Sequence, residues 1–245
     1  MVSESTPHTQ KKSLSSKVLG LNLVAVTGAI LISISLGQKV SSEFGEGGFI
    51  TYFSGIQLFI LSHLCFKVFR LRSQSVKAPW RSSIAIWGIM SLGFSFLALD
   101  DLLMIHEWFD KVIHSIGQIE ETGVTDRIDD LIVGLYGLIA IGLIVHYRHE
   151  LKKYRKVGSY VVAGFVFLFL MVGIDALTNR DDILKLMFPS EMMRTVKTWD
   201  SVVEESFKVF SEAFFIVAAY RCYLRAQQSN PKTQNATANE NIEAC

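Results

Sequence analysis

An all-α, polytopic membrane helix bundle with six transmembrane helices and cytoplasmic N- and C-termini is the fold class that the sequence predicts, on three observations. Half of the 245 residues are hydrophobic while charged residues make up only 19%. Six apolar runs approach the roughly 20 helical residues that a bilayer core of about 30 Å requires, and basic residues gather in alternate loops. The formal net charge of +1 conceals this segregation, which carries more information than the sum.

The six runs are Val18 to Leu36, Gly48 to Val68, Ser82 to Met104, Leu131 to Tyr147, Ser159 to Leu177 and Val202 to Tyr223. Helices are the expected form, because an unpaired backbone is prohibitively costly in lipid. The first run is too long for the apolar core of a signal peptide and lacks a small-x-small cleavage site, so it reads as a retained helix. The sixth has only a short charge-free part, Ala213 to Tyr220, and crosses only if Glu205, Lys208 and Glu212 face protein. Residues 1–17 read as a polar cytoplasmic tail, 18–225 as the transmembrane domain, and 226–245 as a disordered cytoplasmic tail rich in Gln, Asn, Thr and Ala.

Loop charges set the orientation. Lys67, Arg70, Arg72, Lys77 and Arg81 separate runs two and three, and Arg148, Lys152, Lys153, Arg155 and Lys156, with Glu150 as the one acid, separate runs four and five. Both loops are therefore expected in the cytoplasm, together with Lys11, Lys12 and Lys17 before run one and Arg221 and Arg225 near the end of run six. The expected location is a cell membrane, the bacterial inner membrane, with the lipid bilayer as first partner and a second copy or another membrane protein as a further one. No basic field suited to nucleic acid remains. Cys65, Cys222 and Cys245 show no metal-ligand or disulfide spacing.

The outward-facing parts carry the chemistry. Run three reaches Asp100 and Asp101 and is expected to continue as an amphipathic helical extension through His106, Glu107, Asp110 and His114, with no Gly or Pro to break it. On a continuous helix Asp100, Glu107 and His114 share a face at a spacing of seven, and His106, Asp110 and His114 are spaced by four. Run five carries Asp175 near its outer end. Glu205, Lys208 and Glu212 of run six, at i, i+3 and i+7, share one face.

Helix dipoles sort these acids. Asp129 and Asp130 are expected to open run four, and Glu204 and Glu205 run six, at positive ends where carboxylates are favoured. Phe188-Pro-Ser190 reads as a turn. Asp100, Asp101 and Asp175 lie toward negative ends and Glu212 lies inside its helix, so these four lack that explanation. Each charge at mid-membrane costs about 3 kcal/mol on insertion scales. Lys208 balances only one acid, so the remaining charge calls for protons, metal ions or water.

The expected function is accordingly a cation site, for a divalent metal ion, in the outer half of the bundle, serving transport or sensing. Its ligand candidates are Asp100, Asp101, His106, Glu107, Asp110, His114, Asp175, Glu205 and Glu212, with Lys208 balancing charge. Two alternatives are a metal-dependent membrane hydrolase acting on a lipid or polyprenyl substrate and a structural subunit of a membrane complex. His63, His146 and His149 fall at one face of the membrane and raise a weaker haem reading.

Leu99-Asp-Asp-Leu-Leu-Met104 is similar to the Leu-Asp-Glu-Leu-Pro-Met run of alkaline ceramidases, multi-helix membrane hydrolases with a histidine-held zinc. That resemblance spans about six residues and implies a hydrolase. No His-x-x-x-His pair occurs on a late helix, so no zinc ligand carries over. The arrangement Asp100-Asp101-x4-His106-Glu107 also resembles one found in uncharacterised bacterial polytopic membrane proteins, which implies membrane location alone.

Overall fold

Every apolar run becomes helix, and no strand occurs among the described residues. The computed structural model describes residues 7–45, 47–117, 128–178, 184–185 and 188–229. We label the main helices α1 (Pro7–Ser35), α2 (Phe49–Ser73), α3 (Ala85–Leu103), α4 (Ile105–Gly117), α5 (Ile128–His146), α6 (Gly158–Thr178) and α7 (Ser190–Gln228). Among the described residues four helical stretches are long and apolar enough to cross a membrane: Leu14–Ser35, Phe49–Ser73, Ala85–Leu103 and Arg148–Asp175. Among the described residues the apolar segment of α5, Gly134–His146, is shorter, and α7 is too polar to qualify by composition.

The core explains how so polar a helix is accommodated. α7 packs extensively against α2 and α6 and also touches α1, while α2 packs against α3. The charged helix α7 is thus packed among the apolar helices α1, α2 and α6. Leu21, Val24 and Leu31 of α1, Leu135, Leu138 and Ile139 of α5, and Val162, Phe169 and Leu170 of α6 are all exposed. An apolar exterior of this extent suits lipid rather than water.

Two apolar clusters divide the interior. At the basic end Leu61, Cys65, Val68, Trp87, Tyr154, Ile216 and Cys222 are buried together. Cys65 and Cys222 are both free thiols. At the acidic end, where α1, α3 and α6 finish and α2 and α7 enter, Val26, Ala29, Phe44, Ile50, Val202 and Val209 form the second cluster. Gly48 is the N-cap of α2, and a Cβ there would meet the Glu43 backbone at 2.7 Å.

Several boundaries differ from the sequence expectation. α1 already begins at Pro7, where proline's missing N–H costs nothing at a helix start, so much of the expected polar tail is helical. α7 begins at Ser190 directly after Pro189, so Phe188-Pro-Ser190 is a helix start rather than a turn within a loop. Glu204 and Glu205 therefore lie deep in α7 and lose the dipole explanation for their charge. At its far end α7 runs to Gln228, and the remainder of the expected disordered tail lies outside the described residues.

The expected continuous extension of α3 is also broken. Met104 adopts φ 52° and ψ 46°, the left-handed region that costs a non-glycine residue about 1–2 kcal/mol, and α4 starts afresh at Ile105. The face shared by Asp100, Glu107 and His114 on a straight helix is lost at this break. α4 retains its strong amphipathic pattern, with Trp108, Phe109, Ile113 and Ile116 exposed.

Candidate functional site

Asp100 secures the break. Its Oδ1 accepts the backbone N–H of His106 at 2.8 Å, one of the donors that a helix start leaves without an intrahelical partner. Its Oδ2 lies 3.3 Å from His106 Nδ1. Asp100 is only 4% exposed. The sequence left this acid without an ordinary role, and the structure supplies one: it is the side-chain cap of α4.

Its neighbour turns toward α7. Asp101 Oδ1 accepts a hydrogen bond from Lys208 Nζ at 2.9 Å, while the same ammonium lies 3.0 Å from Glu205 Oε1 and 2.8 Å from Glu205 Oε2. Close approach of the helices makes this reach possible. A Cβ at Gly55 of α2 would meet Leu102 at 2.9 Å, so the absence of a side chain lets Leu102 of α3 nest on α2. Asp101 is consequently brought to the face of α7 that carries Glu205 and Lys208.

Glu212 completes the group. It is 6% exposed, and its Oε1 accepts a hydrogen bond from Ser54 Oγ at 2.7 Å. It also interacts electrostatically with Lys208, Asp101 and Glu205. Glu212 Oε2 and Asp101 Oδ2 are buried without a hydrogen-bond partner among the described residues. Three carboxylates thus face one ammonium in a region that α2, α3 and α7 enclose, and uncompensated charge of this kind is expensive to bury.

Other polar groups continue from this cluster along α2. Gln57 Nε2 donates to Asn22 Oδ1 at 3.0 Å, tying α1 to α2. Ser62 Oγ reaches the Ser91 carbonyl and Ser95 Oγ, both at 2.7 Å. Thr51, Ser54 and Ser62 fall on one face of α2, with Ser54 and Ser62 about 12 Å apart along its axis.

The remaining expected ligands divide. Asp175, partly buried at the end of α6, interacts electrostatically with Glu204, which in turn interacts with Glu205 and Lys208. Nearby, burial pushes the Asp200 carboxyl up, with a hydrogen bond to Thr178 opposing the shift. His106 serves Asp100, and His114 lies two turns further along α4, partly buried. The side chains of Glu107 and Asp110 lie outside the described ones. No group of three or more His, Cys, Asp or Glu arranged to hold a metal ion occurs among the described residues; at the acidic cluster the Lys208 ammonium occupies the centre.

The most buried acid escaped the sequence reading. Glu150 is fully enclosed at the basic end, 3.4 Å from Arg72, paired with Lys153 and accepting from Ser83 Oγ at 3.3 Å. It ties together the two basic loops. Its signal was present, as the lone acid among their ten basic residues. His63 is exposed on α2, while His146 and His149 line a cleft with Trp80 and Arg81, so the three histidines do not form one site.

Fold and site together define an all-helical protein, compatible with a membrane protein, whose apolar helices enclose a carboxylate–lysine network. Within that class the chain belongs to the family described as domain of unknown function DUF8692, whose model matches residues 18–222. Comparison with curated proteins and with solved structures gives no match.

Proposed function

We propose that the chain is a six-helix integral membrane protein of the cell membrane, with both termini cytoplasmic, and that its Asp101–Glu205–Lys208–Glu212 network is a cation site used for transport. The exchanged cation is a proton, and Lys208 is a tethered counter-charge. One observation carries the reading. Lys208 Nζ lies within 3.0 Å of Asp101 and Glu205, where a free cation would otherwise be held, leaving Glu212 as the surplus acid.

Intramembrane carboxylates in excess over their counter-charges typically mark ion or proton pathways. The polar groups from Ser54 to Ser62, Ser91 and Ser95 continue from Glu212 toward the basic end and favour transport over sensing. α7 and α5 count as the fifth and sixth spans, α7 because Glu205, Lys208 and Glu212 turn toward α2 and α3 instead of lipid. The basic loops support an outer-half position for the acidic cluster.

A divalent metal would have to displace the Lys208 ammonium, and so would the metal of a lipid hydrolase. A purely structural subunit would turn its polar face outward to meet a partner helix, whereas Glu212 faces Ser54 inside this chain. These readings are separable by experiment. Purified protein in liposomes, loaded with a pH-sensitive dye under an imposed potential, is expected to pass protons, and Glu212→Gln to reduce flux to that of empty liposomes. Elemental analysis of the same preparation is expected to find divalent metals at background. Wild-type flux at the empty-liposome level, undiminished flux in Glu212→Gln, or stoichiometric metal that Asp101→Asn removes would each overturn the proposal.

A further inference from the structure

At the opposite, basic end, a cleft of about 530 Å³ opens between the 3₁₀ turn Pro79–Arg81 and the end of α5. Its lining includes Trp80, Arg81, Ser83, His146, Tyr147 and His149 and contains no acid. Arg81 and both histidines offer hydrogen-bond donors, and a neutral imidazole retains one N–H. We propose that this cleft binds a phosphate group, delivered as the headgroup of an anionic phospholipid from the adjoining leaflet.

The nearest acid does not oppose an anion. Glu150 accepts from Ser83 Oγ, but it is fully buried and faces Arg72 and Lys153, so this corner carries surplus positive charge. The C-terminal end of α5 contributes a partial negative charge of about half a unit. That is smaller than the full charge of Arg81, and the Tyr147 carbonyl already accepts the Glu150 and Leu151 N–H groups at 3.0 and 3.3 Å.

The wall of the cleft is built rather than incidental. The Trp80 ring packs on Phe69 with centroids 4.7 Å apart and lies over Gly88, where a Cβ would meet the indole at 2.6 Å. Trp80 nevertheless remains 56% exposed. Its indole, with Tyr147 also in the lining, gives the aromatic pair expected at headgroup depth. Basic pockets between helices on the cytoplasmic side are a recurring means of holding lipid phosphate. The aromatic wall favours a lipid over free phosphate, which gains nothing from an apolar surface.

Native mass spectrometry of the full chain in neutral detergent tests this, with dioleoyl phosphatidylglycerol, dioleoyl phosphatidylcholine and inorganic phosphate as separate probes. Phosphatidylglycerol is expected to bind in preference to both others, and Arg81→Gln with His149→Gln to weaken it about tenfold through lost charge-assisted hydrogen bonds. Both side chains are exposed, so folding is expected to survive, and an unchanged thermal midpoint verifies it. Lys17→Gln, on α1 and outside the cleft, controls for diffuse attraction and is expected to leave binding unchanged. Equal binding of phosphatidylcholine, undiminished binding in the double variant, an equal loss in Lys17→Gln, or saturation by inorganic phosphate without lipid preference would overturn the proposal. None of these readouts depends on proton transport.

Discussion

Asp100 caps the helix that starts beyond Met104, its Oδ1 accepting the His106 backbone N–H at 2.8 Å. This one bond explains both the burial of an acid within an apolar segment and the break between α3 and α4. Asp100→Ala is expected to cost about 1 kcal/mol and Asp100→Asn, which keeps an acceptor, distinctly less. Thermal unfolding in detergent measures the difference, and faster hydrogen exchange confined to the first turn of α4 assigns it to the cap.

Lys208 holds α3 to α7 through Asp101. Removing the ammonium in Lys208→Met leaves Asp101 and Glu205 without their shared counter-charge and is expected to cost about 2 kcal/mol, less than for a fully enclosed pair because Lys208 is partly exposed. Adding Asp101→Asn to that variant is expected to restore part of the loss. Strictly additive losses in a double-mutant cycle would show that the two residues do not interact.

Close packing of α6 on α7 depends on Gly164. A Cβ at this position would meet the Phe215 ring at 2.6 Å, and the Gly164 carbonyl accepts a hydrogen bond from Ser211 Oγ at 2.9 Å. Gly164→Ala is expected to cost about 1–3 kcal/mol through overpacking. Phe215→Leu in the same chain is expected to recover part of that in the thermal midpoint, since it removes the obstructing ring atoms.

The shape of the bundle was legible in the sequence to the extent that it rests on hydropathy and periodicity. The six apolar runs are helical, and the i, i+3, i+7 spacing of Glu205, Lys208 and Glu212 placed them on the face that meets Asp101 and Ser54. What escaped were features decided by tertiary contacts. Met104 carries no local signal for positive φ, and its strain is tolerated because Asp100 folds back to cap α4. The early start of α7 was hidden by the polarity of residues 190–201, which is read as loop unless the partner helices are known. Glu150 was visible as an oddity of charge, but its burial depends on two distant loops meeting.

Asp200 offers a pH signature. Because burial raises its carboxyl above the ordinary value of 3.8, the folded chain holds the proton more tightly than the unfolded one. Stability from this group is therefore fully present below the unfolded value and is lost as pH rises through the raised one. Asp200→Asn is expected to increase the thermal midpoint by a few degrees at neutral pH and to give no gain in acid below both values.

Infrared difference spectroscopy of the protein in lipid nanodiscs across a pH titration tests most directly whether Glu212 exchanges a proton beside the Lys208 pair. A protonated-carboxyl carbonyl band that titrates reversibly in the wild type and is missing in Glu212→Gln is the predicted result. Identical difference spectra for the two proteins would contradict it.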